Sequence, residues 1–116
     1  MTLESNTSGA QNTAVGALAL DAVTTAGNNT AIGYQALSAS TTSGSTAVGH
    51  RALQANTTGN GNIAIGKDSL YTNTTGQYNI SIGYDSLQQN NADNNVAVGH
   101  DAVSYTHLTL PTMRTV

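Results

Sequence analysis

Residues 62–70 read Asn62-Ile63-Ala64-Ile65-Gly66-Lys67-Asp68-Ser69-Leu70, and versions of this phrase occur six times along the chain. Its glycine falls at Gly16, Gly33, Gly49, Gly66, Gly83 and Gly99, at spacings of 17, 16, 17, 17 and 16 residues. A fixed period of this kind marks stacked units, none of which can bury an apolar face alone. Leu3 precedes Leu20 by 17 residues, and Asn6-Thr7-Ser8-Gly9 matches Asn56-Thr57-Thr58-Gly59 and Asn73-Thr74-Thr75-Gly76. The chain is therefore expected to enter the array in mid-unit, as a piece of a longer one.

Each unit reads as a short strand, a glycine-marked turn, a second short strand and a longer polar turn. Four or five residues of apolar alternation, rich in β-branched types, predict the first strand. Asn-Thr-Thr-Gly is turn chemistry, because Asn and Gly accept positive φ and Thr bonds locally to backbone. Coils stacked at roughly 4.8 Å would join each strand to its copies in a parallel ladder, and six of them would make a rod about 30 Å long. The predicted fold is all-β, a β-solenoid of about six 16–17-residue coils over residues 1–103.

Comparing equivalent slots assigns provisional faces. Val15, Ile32, Val48, Ile65, Ile82 and Val98 are always β-branched, which predicts an inward-facing strand position. With Leu20, Leu37, Leu53, Leu70, Leu87 and Val103 they would form a narrow aliphatic core. Thr13, Thr30, Thr46, Ile63, Ile80 and Val96 share the face of the β-branched column and read as semi-apolar. Asn12, Asn29, Ser45, Asn62, Asn79 and Asn95 predict a ladder of stacked side-chain amides. Ala14, Ala31, Ala47, Ala64, Ser81 and Ala97 fall on the opposite face. A column of small residues there predicts an oligomer interface packed closely along the rod, the alternative being that Ala is simply abundant.

Composition agrees with a thin core. The 116 residues include 18 Thr, 13 Asn, 16 Ala and 12 Gly, and no Phe, Trp or Cys. Disordered chains usually combine low hydrophobicity with high net charge; here three Lys/Arg and six Asp/Glu leave a formal charge of only −3. Three basic residues provide no patch to neutralise phosphates, so no nucleic-acid partner is expected. No apolar run reaches membrane-span length and no signal-peptide pattern opens the chain. Without cysteine, disulfides and thiolate-metal sites are excluded.

Asn62-Ile63-Ala64-Ile65-Gly66 and Asn79-Ile80-Ser81-Ile82-Gly83 resemble the head repeats of trimeric autotransporter adhesins, the YadA-like left-handed parallel β-roll. The resemblance covers residues 3 to 103. It implies a homotrimeric, surface-exposed adhesive fibre that binds a host-surface protein or glycan. That family's head repeat is usually shorter, and the extra residues here lie in the Asn-Thr-Thr-Gly turns. Asn29 to Leu37 (Asn-Thr-Ala-Ile-Gly-Tyr-Gln-Ala-Leu) is also similar to repeats of bacteriophage tail-fibre proteins, which would make the chain a fibre-shaft segment. Either resemblance implies an extracellular, cell-surface or virion location. Residues 104–116 break the period. Ser104-Tyr105-Thr106-His107-Leu108-Thr109-Leu110-Pro111-Thr112 resembles translated sequencing-adapter read-through, a non-native or disordered tail, or else forms a strand capping the solenoid.

Nothing predicts an enzyme or a cofactor. His50 and His100 share a slot with Ala17, Tyr34, Lys67 and Tyr84, a variety that predicts exposure, and three coils separate them by about 14 Å, too far to share a metal. Asp68, Asp85 and Asp101 follow one another in the next slot. They are read either as an oxygen-ligand cation site or as a screened, exposed row. An ice-binding solenoid would need an outward Thr ladder, whereas Ile63, Ile80 and Val96 interrupt the strand Thr slot and predict a semi-buried face. Glycoside cleavage needs two carboxylates in a cleft, which a flat Asp column does not supply.

Overall fold

The computed structural model describes residues 2–103; the tail at 104–116 lies outside the described residues. Six three-residue strands appear in chain order: β1 (Thr13–Val15), β2 (Thr30–Ile32), β3 (Thr46–Val48), β4 (Ile63–Ile65), β5 (Ile80–Ile82) and β6 (Val96–Val98). They form one parallel sheet in the order β1-β2-β3-β4-β5-β6. Every strand pairs with its own copy one unit away, so the described residues wind an all-β solenoid. Register follows the repeat slot by slot: Thr13 pairs with Thr30, Thr30 with Thr46, Thr46 with Ile63, Ile63 with Ile80 and Ile80 with Val96. The polar turn absorbs the difference between 16 and 17 residues. From the Leu slot to the Asn slot is nine steps in Leu20–Asn29, Leu53–Asn62 and Leu70–Asn79, but eight in Leu37–Ser45 and Leu87–Asn95.

The facing of the first strand is the reverse of the expectation. Ala31, Ala47, Ala64, Ser81 and Ala97 are fully buried, and Ala14 is half-buried. The β-branched column stands outside, with Val15 57% exposed, Val98 44% and Ile32, Ile65 and Ile82 between 37% and 39%, while Val48 is half-buried. The physical reason is the width of the coil. The strand's inner face meets a second small-residue column, Ala19, Ala36, Ala52, Ser69 and Ser86, also fully buried, and the gap between the two columns admits little more than a methyl or hydroxyl. Serines enter both columns, at Ser81 in the strand and at Ser69 and Ser86 opposite it: Ser69 Oγ donates to Ser81 Oγ at 2.7 Å, and Ser81 Oγ to the Ser86 carbonyl at 2.8 Å. The alanine column is core, and so is not an oligomer interface.

Leu20, Leu37, Leu53, Leu70 and Leu87 are buried, as the Leu slot predicts. They do not lie on a second strand. The segment after each glycine is a turn in which Leu20, Leu37, Leu53, Leu70 and Leu87 adopt φ between 48° and 54°. That left-handed conformation costs a non-glycine residue roughly 1–2 kcal/mol, while burying a leucine returns about 1.5–3 kcal/mol. The turn still joins the inter-coil ladder, because Leu53 N–H donates to the Ser69 carbonyl at 3.0 Å and Asp68 N–H to the His50 carbonyl at 2.9 Å.

The Asn slot, read as a ladder of stacked amides, runs up the interior on the same side as the Ala column, and its bonds go mainly to backbone. Asn29 N–H donates to Asn12 Oδ1 at 3.0 Å, Asn79 N–H to Asn62 Oδ1 at 2.9 Å and Asn95 N–H to Asn79 Oδ1 at 2.9 Å. Each Nδ2 then reaches across the coil to a turn carbonyl: Asn29 to Thr42, Asn62 to Gly76 and Asn79 to Ala92, all at 2.8 Å. One side chain therefore satisfies a donor of the coil above and ties strand to turn. A second interior column, Asn56, Asn73 and Asn90, closes the polar turns onto the Gly59, Gly76 and Ala92 carbonyls at 2.7, 2.9 and 3.1 Å. These bonds replace the large apolar core that the composition denies the chain.

Candidate interaction surfaces

Two surfaces carry distinctive chemistry. The first is the outer face of the sheet. Because the ladder is parallel and in register, residues one and three of each strand form two ranks along the rod. One is Val15, Ile32, Val48, Ile65, Ile82 and Val98; the other is Thr13, Thr30, Thr46, Ile63, Ile80 and Val96. Every residue on the face is β-branched and none is charged. The Thr slot is less buried than expected: Thr13 is exposed, Thr30 and Thr46 are half-buried, and Ile63, Ile80 and Val96 are 37%, 37% and 51% exposed. The sequence missed this face as a surface, although one signal marked it. Asn12 and Ala14 share parity, so an Asn ladder inside the coil puts Ala inside and Val15 outside.

The second surface is the edge beyond the glycine turns. Tyr34 stacks on His50 with ring centroids 5.4 Å apart, Lys67 Nζ lies 5.1 Å from the Tyr84 centroid, and Tyr84 meets His100 at 5.3 Å. These exposed residues occupy the variable slot that the sequence predicts to be unconstrained. Beside them, Arg51 makes a bidentate bond to Asp68, Nε to Oδ1 and Nη2 to Oδ2 at 2.9 Å each, and its guanidinium lies 4.6 Å from the Tyr71 ring centroid. Lys67 Nζ donates to Asp68 Oδ2 at 2.8 Å. The edge thus gathers both cations of the described residues, and Asp68 serves both.

The Asp slot is not a uniformly exposed row. Asp68 is 3% exposed and enclosed by cations, Asp85 accepts from Gln88 Nε2 at 3.4 Å, and Asp101 pairs with His100 at 3.4 Å. Among the described residues, no group of three His, Cys, Asp or Glu is placed to hold a metal. Burial pushes the Asp68 carboxyl up, but the hydrogen bonds from Arg51 and Lys67, reinforced by their charge, outweigh it and hold the pKa below the ordinary carboxylate value. A depressed native pKa contributes stability that is present above the unfolded value, near 3.8, and lost as pH falls through the native one. Asp68→Asn is therefore expected to flatten the loss of stability below about pH 4, a difference readable by denaturant titration at pH 7 and pH 3. An unchanged acid slope would show that Asp68 is not the group responsible.

No described helix is long and apolar enough to cross a membrane. Comparison with protein-family models, with curated proteins and with solved structures finds no match in any of the three.

Proposed function

We propose that this chain is a structural and display segment of a trimeric, surface-exposed fibre, in the manner of an adhesin head, with a tail-fibre shaft as the alternative setting. The observation that carries the reading is the outer sheet face: a chargeless, two-rank band of β-branched side chains, one rank aliphatic throughout, on a repetitive rod. Val15, Ile32, Ile63, Ile65, Ile80, Ile82, Val96 and Val98 are each between 37% and 57% exposed, and a contiguous row of exposed large apolar side chains of this kind marks an interaction surface. Packing this band around an axis parallel to the rod would bury it in every copy and leave outside the edge carrying Tyr34, His50, Arg51, Lys67 and Tyr84. That edge, with the polar turns, is where a host-surface protein or glycan would be bound. Aromatic faces and a guanidinium held in place make contacts with little further loss of entropy.

Solution mass is the test. Light scattering is expected to give three times the chain mass, and the paired substitution Ile65→Lys with Ile82→Lys to give a folded monomer with unchanged circular dichroism. A folded parent that stays monomeric at all concentrations would overturn the trimer. If that monomer also showed thermal hysteresis, the outward Thr and Val ranks would be an ice-binding face instead.

A further inference from the structure

The polar corners hand their backbone N–H groups to the corner of the next coil. Thr7, Ser8 and Gly9 donate together to the Thr24 carbonyl at 2.9, 3.1 and 3.2 Å, and Thr57, Thr58 and Gly59 to the Thr74 carbonyl at 2.9, 3.1 and 3.4 Å. Successive N–H groups converging on one oxygen form a concavity suited to an anion. Two such corners face a short, eight-step turn, and there no backbone carbonyl comes up to meet them. One is filled by a side chain. Asn91 Oδ1 accepts from the N–H groups of Thr74, Thr75 and Gly76 at 2.8, 2.9 and 3.3 Å, and from the Thr74 and Thr75 hydroxyls at 3.1 and 3.4 Å. The other is Thr24-Thr25-Ala26, which faces the short turn carrying Thr41 in the Asn91 slot. Thr41 turns its N–H and its hydroxyl to the Thr57 carbonyl of the following coil, at 3.2 and 3.0 Å. None of the described residues accepts from the N–H groups of Thr24, Thr25 or Ala26.

The corner at Thr24 keeps the shape of the others. The chain bends at Thr24 and Thr25 as it does at Thr7 and Ser8, Thr57 and Thr58, and Thr74 and Thr75. Asn28 has φ 63° where Gln11, Gly61 and Tyr78 have 62°, 67° and 58°. One independent difference shows that this corner stands open. In the other three the third donor is glycine, and a Cβ on Gly9, Gly59 or Gly76 would run into the carbonyl oxygen of Ala26, Gly76 or Ala92 in the next coil. Ala26 carries a Cβ in that slot, so the short turn stands back from it, and Thr24 and Thr25 are exposed.

We propose that Thr24, Thr25 and Ala26 form a carboxylate-binding site, in which one carboxylate oxygen takes the place that Asn91 Oδ1 holds against Thr74, Thr75 and Gly76. In each filled corner three N–H groups share a single oxygen atom, which suits a carboxylate oxygen, and its charge strengthens every bond relative to a neutral amide. The Thr24 and Thr25 hydroxyls can turn to donate as those of Thr74 and Thr75 do. The site lies on the polar corner and not on the outer sheet face, so it stands whether or not copies of the chain associate.

Sodium acetate is the probe, with sodium chloride at equal ionic strength as the reference, and amide nitrogen and proton shifts are followed at neutral pH. Acetate is expected to move the Thr24, Thr25 and Ala26 amides saturably, with half-saturation on the order of 10 mM. Thr74, Thr75 and Gly76, whose acceptor is in place, should not respond. Thr41→Asn, which offers an amide oxygen in the Asn91 slot, is expected to abolish the response at Thr24, Thr25 and Ala26. Asn91→Thr is expected to confer it on Thr74, Thr75 and Gly76. Amides of Thr24, Thr25 and Ala26 that stay still in acetate, or move equally in chloride, would overturn the site, as would an undiminished response in the Thr41→Asn protein.

Discussion

Replacing Gly66 with alanine is expected to abolish the folded rod rather than weaken it locally. Gly66 has φ +129°, a conformation closed to residues with a Cβ, and a methyl built there would lie 2.5 Å from the Gly83 carbonyl oxygen of the next coil. The obstacle is backbone, fixed by the ladder bond that Gly83 N–H makes to the Ile65 carbonyl at 2.8 Å, so no side chain can move aside. Relief requires separating two coils, which removes the strand ladder, the Leu packing and the Asn bonds there together. We expect a loss above about 4 kcal/mol, a magnitude reserved for the most disruptive single changes. Gly44→Ala is the control. Its φ is also positive, at +80°, but the nearest atom is 4.0 Å away, so it should lose only about 1–2 kcal/mol from conformation. Thermal melts of both proteins decide the matter, and equal losses would disprove the stacking account.

Leu53→Ala is expected to cost about 3–5 kcal/mol, the upper part of the range for leucine truncation. Leu53 is fully buried at φ 54°. Alanine would keep the cost of that conformation and lose the burial that offsets it. The core is one side chain deep, so the cavity could be filled only by Leu37 or Leu70 leaving its own coil. Conformation and burial can be separated by Leu53→Gly, which removes one more carbon but relaxes the backbone. It should be no less stable than Leu53→Ala, whereas at an ordinary helical or strand position glycine would be the worse by 0.5–1 kcal/mol. Denaturant midpoints for the two variants test this directly.

Period, strand positions, parallel pairing and the Leu core were legible in the sequence because each reports on a slot repeated six times. The orientation of the strand was not. Val15 and its equivalents favour a strand for reasons of backbone and rotamer, and that preference was read as a preference for the inside. Ala is uninformative by itself, and only its parity with the buried Asn column identifies it as core. The left-handed turns at the Leu slot were hidden because leucine seldom adopts positive φ, and nothing in Gly-x-x-Ala-Leu signals that stacking will enforce it. The Asp68 cluster was hidden for a different cause: Arg51 and Asp68 lie 17 residues apart and meet only because the coils stack.

The alternation of eight- and nine-step turns has a consequence for how such a molecule can change. Strand register and core never sense that single-residue difference, since it is taken up on one polar corner of each coil. Insertions and deletions at that corner are therefore nearly free of penalty, while the same change beside a glycine would shift every column above it. Natural variation should accumulate on one side of the rod, leaving a conserved spine and a corner on which new loops can be carried without redesigning the fold.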